Sequence, residues 1–157
     1  MNIRLGKESD VKTIGKYLKE SWIMHCDNEP KFINKRVVEK SDLKGYFREC
    51  FNKSNKSYLL IAEEGKELAG FCKLNIQKIQ RFFNQTKVIY VDDVYVMKKF
   101  RGQGLGKLLL DKAEKIAKER KIKWAKARIY LFNKLAIKLF EKTKYRQLYS
   151  EYFKILK

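Results

Sequence analysis

A chain of 157 residues, 45% of them hydrophobic, is long enough for one domain with a real core and too apolar to stay disordered. No apolar stretch approaches membrane-spanning length, Met1-Asn2-Ile3-Arg4 lacks the apolar region of a signal peptide, and Cys26, Cys50 and Cys72 are too widely spaced for a metal site; a reducing cytoplasm suits them. The formal charge of +19 raises nucleic acid as a partner, but only 8 of the 37 basic residues are arginine and the lysines run along the whole chain, which argues against a reader of bases and for a surface that steers small anions.

In chain order, residues 2–5 read as a short first strand. Ser9 or Asp10 can cap a helix whose Val11, Ile14, Leu18 and Trp22 share a face. Residues 23–35 read as irregular, around Pro30. A second amphipathic helix carries Leu43, Phe47, Cys50 and Phe51. Ser57 to Ala62 and Leu68 to Ile76 form a hairpin about Glu64-Gly65-Lys66. A polar loop at 78–87 with Phe82 and Phe83 leads into a strand at 88–97. A helix follows to about residue 120, with Leu105, Leu108, Leu109, Ala113, Ile116 and Ala117 in its stripe. A strand from Trp124 to Phe132, a helix starting at Asn133 and two short strands between Tyr145 and Leu156 complete the chain. The order β-α-α-β-β-β-α-β-α-β-β, in one domain spanning 1–157, predicts a mixed α/β fold: a highly twisted sheet with helices on both faces.

The most informative segment is Arg101-Gly102-Gln103-Gly104-Leu105-Gly106-Lys107, between the strand at 88–97 and the long helix. Alternating glycines let the backbone turn and let a ligand approach its amides without meeting a Cβ. The helix start offers amides with no internal acceptor and favours an anion. A P-loop requires glycine where Arg101 stands and Ser or Thr where Leu108 stands. A dinucleotide fingerprint requires glycine at Lys107 or at Leu109. Both are excluded, and a phosphate-binding turn of another kind remains.

Arg-Gly-x-Gly-x-Gly after a strand ending Val94-Tyr95-Val96 resembles the acetyl-CoA pyrophosphate loop of the GNAT superfamily of N-acetyltransferases. Asn133-Lys134-Leu135-Ala136, continuing to Phe140-Glu141-Lys142, is similar to that family's Asn-x-x-Ala-x-x-x-Tyr-Glu-Lys helix. The resemblance implies an acetyl-CoA-dependent N-acetyltransferase acting on a primary amine in a ternary complex, with no metal. It implies that Val94 and Val96 offer backbone groups to the pantetheine arm, that the amides of Arg101 to Lys107 hold the pyrophosphate, and that Asn133 contacts the CoA arm. Phe140 stands where the family often has the tyrosine that protonates the departing thiolate, and Lys144-Tyr145 replaces a Gly-Phe. Tyr145 or Tyr130 could supply the missing hydroxyl.

An amine of lysine-like pKa must lose a proton before it attacks, which at pH 7 costs about 4.6 kcal/mol. A nearby carboxylate can take that proton. Asp92 and Asp93 adjoin the expected thioester position, and strand alternation places them on opposite faces, Asp92 sharing parity with Val94 and Val96. Asp92 also matches the glutamate of a similar Tyr-x-Glu-Asp segment in the spermidine/spermine acetyltransferase branch, where it is the proposed base, so Asp92 is the favoured base here and Asp93 the second candidate. The acceptor amine is left open, as is a monomer or a homodimer. A CoA-binding module without catalysis, and a basic nucleic-acid-binding domain, are the competing readings.

Overall fold

The computed structural model describes residues 1–156. Five strands form one sheet in the order β1-β2-β3-β4-β5: β1 (Asn2–Leu5), β2 (Ser57–Glu64), β3 (Glu67–Lys78), β4 (Lys87–Val96) and β5 (Ala125–Ala127). Neighbours are antiparallel except for β4 and β5, which run parallel. The helices α1 (Asp10–Asn28), α2 (Lys35–Glu39) and α3 (Leu43–Phe47) precede β2, while α4 (Leu105–Glu119) and α5 (Lys134–Lys142) flank β5 in sequence.

The predicted mixed sheet with helices on both faces is what the chain forms. Tyr58-Leu59-Leu60-Ile61-Ala62 of β2 is an unbroken apolar run because both of its faces are covered. Leu60, Cys72, Leu74, Ile89 and Val91 face α4 and α5, meeting Leu105, Leu109, Ala113 and Phe140. Leu59, Ile61 and Phe71 face the other way, onto Val11, Ile14 and Leu18 of α1 and Phe47 of α3.

Several boundaries differ from the sequence expectation. α1 continues to Asn28, through residues read as irregular, because Cys26 extends the Leu18–Trp22 spacing into the core. Asn34 then caps the additional short helix α2, its side chain accepting from the Val37 amide. The second predicted helix ends at Phe47 and continues as a single 3-10 turn, Arg48–Cys50. The strand expected from Trp124 to Phe132 is only three residues long, and residues 145–156 form no strand. The β4–β5 ladder stops at Ala127, and beyond Tyr145 the tail makes no backbone hydrogen bond to a strand among the described residues.

The end of α5 shows how the chain manages without the family's glycine. Lys144 adopts φ 67°, the left-handed conformation that glycine favours. The Tyr145 amide donates to Phe140 O and the Lys144 amide to Glu141 O, both at 2.9 Å, and the Tyr145 ring meets Phe140 edge-on at 4.9 Å. This is a complete Schellman closure with lysine at its strained position.

Candidate active site

The site begins with an irregularity in β4. Lys73 of β3 lies opposite Asp93, yet the next residue, Leu74, lies opposite Val91, which leaves Asp92 as an extra residue. Such a bulge reverses the alternation of everything beyond it. Before it, Ile89 and Val91 face α4; beyond it, Val94 and Val96 do so. The expected placement of Asp92 and Asp93 on opposite faces is therefore overturned. Both carboxylates reach the α1–α3 side, where their partners lie.

Asp92 accepts from Lys73 Nζ at 2.6 Å and also from Asn75 Nδ2. Lys73 is the one buried charged residue among the described residues, 5% exposed, and its ammonium lies 4.0 Å from the centre of the Tyr46 ring. Asp93 accepts from the Tyr46 hydroxyl at 2.5 Å and from Trp22 Nε1 at 3.2 Å. Burial pushes the Asp93 carboxyl above the usual carboxylate range, against the opposing pull of those two hydrogen bonds. Burial and the neighbouring Asp93 charge raise the Tyr46 phenol still further, so it remains a proton donor. Trp22 and Tyr46 meet edge-on at 4.9 Å and together form the inner end of an open cleft of about 620 Å³. Arg36, Val37, Lys40, Ser41 and Asp42 complete its lining.

The same bulge directs the backbone. The Met97 amide donates to Ala69 O, and the Ile89 amide donates to Trp124 O across the sheet. Antiparallel residues turn their polar groups alternately toward and away from the partner strand. Val94 and Val96, opposite Cys72 and Gly70, therefore turn theirs away from β3, toward the side where β5 has already ended. The Arg101 side chain marks that direction, its Nε donating to Val96 O at 3.0 Å.

The glycine loop follows. Gly102 and Gly104 have φ of 80° and 81°, and a Cβ at either would project into open space. Gly106 differs: a Cβ there would come within 2.9 Å of Leu139, so its absence lets α4 and α5 approach. Among the described residues, the amides from Gly102 to Lys107 have no acceptor, and the first bond of the helix start is Leu108 N to Gly104 O. Arg101 and Lys107 flank this row; the Lys107 ammonium is drawn to Asp111 at 2.5 Å.

The other predicted residues lie elsewhere. Asn133 caps α5, its Oδ1 accepting from the Ala136 amide at 3.1 Å. The Tyr145 hydroxyl is buried with no hydrogen-bond partner among the described residues, on the α4–α5 side of the sheet, away from both carboxylates. Tyr130 packs edge-on against His25 at 5.2 Å. Lys73, Asn75 and Tyr46 were missed from sequence. One signal was available for Lys73, a lone charge inside the apolar run Phe71-Cys72-Lys73-Leu74.

No helix among the described residues is long and apolar enough to cross a membrane, and no cluster of three or more His, Cys, Asp or Glu there could hold a metal.

Residues 21–145 match the model of the Acetyltransferase (GNAT) family, and the chain belongs to that family. An N-acetyltransferase from Archaeoglobus fulgidus, described as uncharacterized, is 34% identical over 90 residues; the match covers 56% of this chain and 58% of that protein. Among solved structures, a mutant protein of Bacillus halodurans superposes with a TM-score of 0.83 at 18% identity, covering 99% of this chain and 100% of the other. A Clostridium acetobutylicum protein, described as a predicted acetyltransferase and solved with acetyl-CoA, gives 0.75 at 20% identity over 99% and 95%. These two likenesses concern the fold. No specific likeness to the spermidine/spermine branch emerges from the comparisons.

Proposed function

We propose that this chain transfers the acetyl group of acetyl-CoA directly to a primary amine. The observation that carries the reading is the row of unbonded amides from Gly102 to Lys107, opened by two left-handed glycines and set at the start of α4. A cradle of main-chain donors with no side chain above it suits a diphosphate. The outward-turned polar groups of Val94 and Val96 would accept the amide-bearing arm of the same substrate, and the Asn133 Nδ2 is the part of that side chain left for a ligand.

The amine enters by the cleft that ends at Trp22 and Tyr46. Asp92 is the proposed base. Its Oδ2 takes both donors from β3, leaving Oδ1 without a donor among the described residues, whereas both oxygens of Asp93 are occupied. Asp93 serves by fixing the cleft wall through Tyr46 and Trp22. Once the amine has given up its first proton to Asp92, its electron pair attacks the thioester carbonyl, the C–S bond breaks with the sulfur leaving as thiolate, and the second nitrogen proton passes to that thiolate or to water. A thiol pKa of about 8.5 means the departing sulfur needs little help at neutral pH, so Phe140 is compatible with turnover. Tyr145 would contribute a proton only if its hydroxyl left its buried position.

Two measurements test this. Calorimetric titration should show saturable acetyl-CoA binding; none at millimolar ligand ends the proposal. Asp92→Asn should lower turnover on an accepted amine by about 10²-fold or more with acetyl-CoA affinity retained. Turnover unchanged in that variant, and lost in Asp93→Asn, would move the base to Asp93.

A further inference from the structure

The cleft has a chemical asymmetry that bears on its acceptor. Its inner end is aromatic and linked to the Asp93 carboxylate through Trp22 and Tyr46. Its outer wall carries Arg36 of α2 and Lys40, the residue that ends that helix, and both are exposed. Neither has a carboxylate partner among the described residues, although the chain pairs other lysines of this region: Lys35, their neighbour, binds Asp27 at 2.8 Å. Asp42, the acidic residue of the lining, sits at the foot of α3, its Oδ2 directed at Gly45. Two cations without a carboxylate partner thus line a cavity whose aromatic end adjoins the Asp93 carboxylate.

We infer that the acceptor is an amine whose body also carries an anion, a carboxylate or a phosphate, and that Arg36 and Lys40 hold that anion while the amine points to Trp22 and Tyr46. This rests on the acetyltransferase reading and deepens it. The electrostatic logic is direct. A polyamine would bring additional positive charge into a cleft already lined by two cations, on a chain of formal charge +19. An amino-carboxylate or amino-phosphate is drawn in by the same field and oriented by it, anion outward and amine inward. Exposure of both cations limits the gain and makes it salt-dependent.

The test uses matched amines with acetyl-CoA and follows free CoA at low ionic strength: β-alanine against β-alaninamide, O-phosphoethanolamine against ethanolamine, and spermidine. In the wild type, at least one anionic member should exceed its neutral partner by about tenfold in kcat/KM, and added salt should shrink that ratio. Which pair shows it distinguishes carboxylate from phosphate. In Arg36→Ala/Lys40→Ala the ratio should collapse to about one. In Arg36→Glu/Lys40→Glu it should invert, with spermidine becoming the better acceptor. Preference for spermidine or a neutral amine in the wild type overturns the inference, as does a ratio unmoved by both double variants. Acetyl-CoA binding without turnover on either anionic amine overturns it as well. Absence of acetyl-CoA binding is a separate failure, and it removes the parent reading.

Discussion

Gly104 and Gly65 form a natural matched pair for testing the phosphate cradle. Both have left-handed backbones, with φ of 81° and 61°, and a Cβ at either would meet nothing within 4 Å. Alanine at either position therefore introduces backbone strain alone, about 1–2 kcal/mol. The lower entropy of alanine in the unfolded chain offsets about 0.4–1 kcal/mol of it. The net loss is about 1 kcal/mol at each site, which for a chain of this size lowers Tm by about 2–4 °C. The two differ in what surrounds them. Gly65 turns the β2–β3 hairpin, whereas Gly104 immediately precedes the free amides of α4. Relieving strain at 104 rotates a peptide in the cradle, and acetyl-CoA affinity should fall by at least about tenfold, or 1.4 kcal/mol. Gly65→Ala should leave affinity within twofold. Thermal melts and calorimetric titration of both variants decide the matter. Equal effects on binding, or a Gly104→Ala variant that melts lower yet binds normally, would refute the assignment of the loop.

Three further outcomes follow from the structure. The raised Asp93 carboxyl means that, between its ordinary value of 3.8 and its native value, the folded chain holds a proton the unfolded chain lacks; stability from this group falls as pH rises through that window and stays lower above it. Asp93→Asn removes that dependence, so its Tm relative to wild type should improve from pH 4 to pH 8; a constant difference would contradict the buried-carboxyl account. Arg4 binds Asp10 at 2.8 and 2.9 Å and Glu63 at 2.7 Å, and the Arg4 hydrogen bonds hold the Asp10 carboxyl below its ordinary 3.8. Arg4→Ala should cost about 1–2 kcal/mol near pH 7, less as pH falls through the native Asp10 value, which denaturant melts at pH 7 and pH 3 can compare. Lys144→Gly should raise stability by about 0.5–1 kcal/mol, since glycine takes φ 67° without strain; a lower Tm would show that the lysine side chain contributes more than its backbone costs.

The features legible in the sequence were those with local causes. Leu105, Leu109, Ala113 and Ile116 repeat with the helical period and form the buried stripe of α4. Gly102 and Gly104 stand where a side chain would be strained, and that requirement is visible without any partner. Asp92 and Asp93 were identifiable as the carboxylates beside the loop, but not by face.

Tertiary structure decided the remainder. The bulge at Asp92 exists only as a mismatch of register between β3 and β4, so parity within one strand could not reveal it. The partners of Asp93 lie 71 and 47 residues away, at Trp22 and Tyr46, and are brought to it by packing α1 and α3 on the same face of the sheet. The tail shows the converse: Tyr145 to Leu156 has apolar residues enough for strands, yet a strand is a pairing between segments, and among the described residues no strand pairs with it. The sequence specified the backbone donors of the loop; the juxtaposition of two acids, a buried lysine and a cleft arose only when distant segments shared one face.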